Sequence, residues 1–263
     1  MRFLKANGLV IHYRDQGRRD GAPFVFINSL GTDFRIWDEV AEILARDFRI
    51  ITYDKRGHGL SESGPDQNDV ADYARDLAAL LDGAGVGRAT IVGLSIGGLI
   101  AQKFYRHHPD RVSALVLCDT AAKIGTDEVW DQRIAQVERG GIESLADSVL
   151  ERWFTADFRS RRSAELAGMR AVPTRTPRQG YLAACGALKR TDLRPYAARI
   201  EAPTLCLVGD QDGSTPVALV KETASLIPSS RFEIIEGTGH LPNVERPEVV
   251  AKLVFEHARR AAA

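Results

Sequence analysis

The stretch that most restricts what this chain can fold into is ATIVGLSIGGLIAQKFYRHH, residues 89–108. ATIV is a short apolar run of the kind that makes a buried strand, and LIAQKFYRHH has helical spacing that stops at Pro109. Between them Gly93, Gly97 and Gly98 crowd around Ser95. A strand that runs into a helix over so few residues must pass close beside it, and only small neighbours permit that approach. The serine is forced to the apex of the turn in a strained backbone conformation. Its hydroxyl is thereby lifted clear of the strand, and the next amide, that of Ile96, is placed where it can meet a developing negative charge. The five-residue pattern G-x-S-x-G alone describes a glycine-rich turn equally well; the flanking strand and helix are what favour a nucleophilic serine.

The rest of the chain supplies a sheet for this turn. FLKANGLVIHYRDQG carries Asn7-Gly8 between two short runs and predicts an antiparallel hairpin at a sheet edge. Strand-like PFVFIN (23–28), FRIITYD (48–54), ATIV and VSALVLCD (112–119) then alternate with helical patterns near 36–46, 69–84 and 99–108. The same alternation resumes at PTLCLVGD (203–210) and RFEIIEG (231–237), with helices near 216–227 and from Pro247 to Arg260. Strands apolar on both faces and separated by helices imply a mostly parallel, eight-stranded α/β sheet covered on each side. From about Ala121 to Arg199 no strand-like run occurs, and EVWDQRIAQVERG, IESLADSVLERWF and RQGYLAACGALKR space apolar residues three or four apart. The expected organisation is a core of residues 1–120 and 200–263 with a helical lid inserted at 121–199. The closing AAA reads as a frayed end.

Charge narrows the partners. Lys plus Arg and Asp plus Glu number 35 each in 263 residues, so no net field favours nucleic acid or a membrane surface. MRFLKANGLV lacks the apolar core of a signal peptide, and no run approaches the roughly 20 apolar residues of a membrane span, which leads us to expect a cytoplasmic protein. Cys118, Cys185 and Cys206 are odd in number, far apart and set among apolar residues, as reduced buried thiols are.

A serine hydroxyl needs a base within hydrogen-bond reach and a carboxylate to orient that base. Of six histidines, His240 follows the last strand in a glycine-flanked loop, EGTGHLPNVERPE, at the edge where open α/β sheets gather their ligands, while His58 sits in the RGHG turn after the fourth strand. His12, His58, His107, His108 and His257 read as structural or solvated. For the acid, VGDQDGSTP offers Asp210, which abuts the strand and suits a turn-stabilising role, and Asp212, which reaches farther out; Asp212 is preferred. Asp119, at the end of another strand, is a third possibility. The loop after PFVFIN, NSLGTD, is small enough for close backbone approach and makes the Leu30 N–H a second oxyanion donor beside that of Ile96.

The order Ser95, Asp212, His240, together with DKRGHGLSE (54–62), GLSIGG, GDQD and GTGH, resembles the α/β-hydrolase family over nearly the whole chain. NSLGTD, CDTAAKIGTDEVW (118–130), LADSVLERWFTADF (145–158) and GYLAACGAL (180–188) are similar, more narrowly, to 3-oxoadipate enol-lactonases of aromatic-compound degradation. NSLGTD stands where many relatives carry His-Gly. The resemblance implies opening of an enol-lactone through an acyl-enzyme on Ser95, with neither metal nor organic cofactor. A small lactone with a free carboxylate would ask for a cation in the lid, where Arg133, Arg152, Arg170 and Arg175 are candidates, and Trp130 and Trp153 would wall the pocket. A broad carboxylesterase, another lactonase, or a hydrolase-fold receptor without turnover are the competing readings.

Overall fold

Asn7 and Gly8 take φ of 49° and 83° in the computed structural model. Two successive left-handed residues make the hairpin turn whose twist matches that of its strands. They join β1 (Arg2–Ala6) to β2 (Leu9–Gly17) in an antiparallel pair, with β1 at the edge of the sheet. The structure describes residues 1–65, 68–228 and 230–261. Ala262 and Ala263, in the run read as frayed, lie outside them.

Six further strands follow: β3 (Pro23–Ile27), β4 (Arg49–Tyr53), β5 (Ala89–Leu94), β6 (Val112–Cys118), β7 (Thr204–Gly209) and β8 (Ser230–Ile235). They pair in the order β1-β2-β4-β3-β5-β6-β7-β8, and every pairing from β4 to β8 is parallel. β5 and β7 are buried at every position, which explains their unbroken apolar runs. Burying a side chain such as Ile91 or Val92 contributes about 1.5–3 kcal/mol. The eight-stranded, mostly parallel architecture is thus the one the sequence pattern predicts.

Helices cover both faces: α1 (Asp38–Leu44), α2 (Val70–Gly83) and α3 (Ile96–His107) before β6 is complete. Between β6 and β7 come α4 (Asp127–Gly140), α5 (Ala146–Trp153), α6 (Ala156–Arg161), α7 (Ser163–Thr174), α8 (Arg178–Arg190) and α9 (Arg194–Ala197). α10 (Val217–Leu226), α11 (Pro242–Glu245) and α12 (Pro247–Ala261) complete the chain. Among the described residues no helix is long and apolar enough to cross a membrane, and the three cysteines are free and buried. α6 and α7 were not among the expected helices. Their only buried residues are Phe158 and Pro173, so they lack the apolar stripe by which a helix announces itself in sequence.

β3 lies between β4 and β5, so the chain leaves β3 toward one side of the sheet and, from β5 on, continues toward the other. The divergence of the connections leaves a crevice at the carboxyl ends of β3 and β5, the usual place for a ligand in such sheets.

Candidate active site

Ser95 stands at that crevice with φ 58° and ψ −120°. The close approach demanded of its glycine neighbours is literal. A Cβ on Gly93 would come within 2.2 Å of the Gly97 carbonyl oxygen, and one on Gly97 within 2.5 Å of that of Ile27. The Ser95 amide donates to the Cys118 carbonyl (3.0 Å), and the Thr120 hydroxyl donates to the Ser95 carbonyl (2.6 Å), so the turn is pinned to the end of β6.

Two loops bring the other predicted groups to the same rim. The loop after β7 carries Asp212 and the loop after β8 carries His240, both nearly inaccessible at 6% and 2% exposure. His240 Nδ1 and Asp212 Oδ2 are 2.9 Å apart. With Nδ1 so engaged, Nε2 is the nitrogen left on the other side of the ring. Asp212 is held in turn by the amides of Ser214 (2.7 Å) and Thr215 (3.0 Å) and the Thr215 hydroxyl (2.6 Å). Burial works to raise the Asp212 carboxyl, but the His240 charge and these donors prevail and leave it below its ordinary value. Asp210 faces elsewhere and accepts from the Thr238 amide at 3.1 Å, tying the turn before His240.

Asp119 lies against this pair. Its Oδ1 accepts from the Gly209 amide at 2.9 Å, while Oδ2 is buried without a partner among the described residues. Burial first, and then the Asp212 charge, push it well above the usual carboxylate range. Asp119, Asp212 and His240 bring ligand atoms within 4.8 Å of one another, but a cation seated there would break the Asp212–His240 bond.

Ser95 and His240 line a cavity of about 210 Å³ together with Ser29, Leu30, Trp130, Arg133, Arg152, Trp153 and Tyr181. No hydrogen bond joins Ser95 to His240 among the described residues; catalytic contacts commonly tighten only when substrate is present. The backbone N–H groups of Leu30 and Ile96 also lack an acceptor among the described residues, although Leu30 is 6% exposed and Ile96 fully buried. Buried amides are rarely left unpaired, so two beside one serine are notable.

The helical segment closes the cavity. The Trp153 carbonyl accepts from the Leu241 amide (3.3 Å) and that of Arg152 from Gly213 (3.4 Å), so the end of α5 is fastened to both loops. Trp130 donates its indole N–H to the Ile124 carbonyl (2.7 Å) and carries the Arg133 guanidinium 5.2 Å from its ring centre. Neither Arg133 nor Arg152 forms an ion pair among the described residues. Burial, and then the Arg133 charge, lower Arg152. Burial raises the Tyr181 phenol to about 12, against the pull of both arginines. Arg170, by contrast, is exposed and paired to Asp147 at 2.8 Å, and Arg175 lines a different groove near the hairpin. Thr215, Tyr181 and Lys55 escaped the sequence reading; for Thr215 the signal was its place three residues beyond Asp212, the reach of a side-chain-capped turn.

Residues 22–247 match the family described as alpha/beta hydrolase fold. The chain is 32% identical to 3-oxoadipate enol-lactonase 2 of Acinetobacter baylyi, over 98% of this chain and 94% of that protein. It superposes on the crystal structure of the enol-lactonase from Burkholderia xenovorans with a TM-score of 0.94 and 36% identity, covering 97% of this chain and 99% of that one. A thermophilic esterase from Thermogutta terrifontis, with malate bound, gives a TM-score of 0.93 at 28% identity, covering 100% and 99%.

Proposed function

The chain belongs to the α/β-hydrolase fold family, and from that premise we propose that it is a serine hydrolase of small anionic lactones, with 3-oxoadipate enol-lactone its substrate. The observation that carries the choice of substrate is the pair of guanidinium groups, Arg133 and Arg152, that have no carboxylate partner among the described residues and lie in the cavity shared by Ser95 and His240. Two half-buried cations facing one cavity repel each other, and an anionic ligand relieves that cost. A volume of about 210 Å³ suits a compact ring better than a long acyl chain.

In this reading Ser95 Oγ attacks the lactone carbonyl and passes its proton to His240 Nε2, while Asp212 steadies the imidazolium through Nδ1. The carbonyl oxygen becomes an oxyanion between the N–H groups of Leu30 and Ile96. As the tetrahedral centre collapses, the bond to the enol oxygen breaks, that oxygen takes the proton from His240, and the enol ketonises. Water then attacks the acyl-enzyme, giving a proton to His240 that returns to Ser95 Oγ, and the 3-oxo diacid leaves. The mechanism needs no further cofactor. The test is turnover of 3-oxoadipate enol-lactone beside p-nitrophenyl butyrate. A kcat/KM about 100-fold or more in favour of the lactone is expected, since charge-assisted recognition contributes about 1.5–3 kcal/mol per bond. Equal turnover of both would make the chain a broad carboxylesterase.

A further inference from the structure

Lys55 follows the end of β4 and is only 1% exposed. An ammonium is expensive to bury, and this one has no carboxylate within 4.0 Å among the described residues. Its hydrogen-bond partner is the Ser29 carbonyl oxygen, at 2.6 Å. The same oxygen accepts from the Thr32 hydroxyl at 2.9 Å and the Thr32 amide at 3.3 Å. On the other side of Leu30, the Gly31 amide donates to His58 Nε2 at 3.1 Å, and His58 Nδ1 is 3.1 Å from the Arg56 carbonyl. Burial holds His58 well below the usual imidazole range, so its ring is neutral: Nδ1–H donates and Nε2 accepts.

The Ser29 carbonyl and the Leu30 N–H belong to one planar trans peptide, in which they point in opposite directions. A donor gripping the oxygen therefore aims the N–H away from itself, toward the cavity that Leu30 and Ser95 share. Burial pushes Lys55 well below the ordinary lysine range, but ammonium and amine alike have N–H to donate, and a donor on the oxygen draws electron density toward it and makes the peptide N–H a stronger donor, as in any hydrogen-bonded chain. We propose that Lys55 is a positioning residue for oxyanion stabilisation, fixing and polarising the Ser29–Leu30 peptide from behind. It touches no reacting atom. The inference rests on the reading of Ser95 as nucleophile and of the Leu30 N–H as oxyanion donor.

The experiment measures p-nitrophenyl acetate hydrolysis and inhibition by an aryl trifluoromethyl ketone, whose serine adduct places an oxyanion in the same position, in Lys55→Met, Thr32→Val and Ser95→Ala. Losing one oxyanion donor outright costs about 10²–10³ in kcat, so Lys55→Met, which only misaims one, is expected to lose about 10–100-fold with KM within about twofold. Ketone affinity should weaken by the same factor as kcat. A merely structural lysine would not couple those two quantities. Thr32→Val should move both together by about threefold, and it carries the test alone if Lys55→Met does not fold. The inference is overturned if folded variants keep kcat and ketone affinity within about twofold of the parent, or if kcat falls while ketone affinity holds. Full activity in Ser95→Ala would instead overturn the parent reading.

Discussion

The rim of the sheet and the helical segment above it face one cavity, yet they treat their charges in opposite ways. At the rim the carboxylates of Asp210, Asp212 and Glu245 are spoken for. Asp212 is bonded to His240, Ser214 and Thr215, Asp210 to Thr238, and Glu245 to Thr155 and Gly239. In the helical wall Arg133 and Arg152 lie in the cavity without counter-ions among the described residues. Closed networks hold a reactive geometry between turnovers; open charges leave binding energy for a ligand to collect. In the proposed reading chemistry belongs to the first region and recognition to the second, so variants of each should fail in different kinetic parameters.

The largest effect is expected at the rim. Ser95→Ala should lower kcat by about 10⁴-fold or more while far-UV circular dichroism and Tm stay close to the parent, the scale seen when a member of a nucleophile–base pair is removed. Turnover that survived the change would place the nucleophile elsewhere. Next, Asp212→Asn should cost about 10³–10⁴ in kcat, because the amide cannot hold the imidazole in the tautomer that leaves Nε2 free to accept. Asp210→Asn should cost no more than about threefold, since its partner is the Thr238 amide. A pH–rate profile of both variants separates lost orientation from lost folding, and the reverse ranking would exchange the two aspartates.

The helical wall should answer differently. Arg152→Met and Arg133→Met are each expected to raise KM for the anionic lactone about 10–100-fold, with less than about threefold change in kcat. Hydrolysis of neutral p-nitrophenyl esters should be almost untouched. If kcat fell and KM did not, the arginines would belong with the chemistry, and the contrast between the regions would collapse.

The same contrast governs what could be read before any coordinates. Strand runs, the Asn7-Gly8 turn and the crowding at Gly93 and Gly97 follow from local sterics, so the sheet and its serine turn were legible. Asp212 and His240 were conspicuous because glycine-flanked loops after strands converge at one edge whatever the details of packing. The two arginines facing the cavity could not be told from Arg170 and Arg175, since that depends on Asp147 being near one of them and on how α4 and α5 close over the sheet. Lys55 was less legible still. A lysine after a strand reads as solvated, and only the fold reveals that it ends on the Ser29 carbonyl.

The smallest effect sharpens the rim itself. Burial and the neighbouring Asp212 charge hold Asp119 well above the usual carboxylate range in the fold, whereas in the unfolded chain it ionises near the ordinary aspartate value of about 3.9. The folded state therefore binds the extra proton, and stability from this group is present at low pH and is lost as pH climbs from about 4 toward the raised folded value. Asp212 has the opposite sign, contributing above the unfolded value and losing its contribution as pH falls through the lowered folded one. Asp119→Asn removes the first dependence while keeping an acceptor for the Gly209 amide and adding a fixed donor at the position of Oδ2. Thermal melts should show the variant gaining about 2–4 °C at pH 8, on the scale of about 1 kcal/mol for a domain of this size, with the gain shrinking toward pH 4.5. A gain independent of pH would mean that Asp119 is ionised in the fold. A loss of turnover as deep as that of Asp212→Asn would make Asp119 the acid that orients His240.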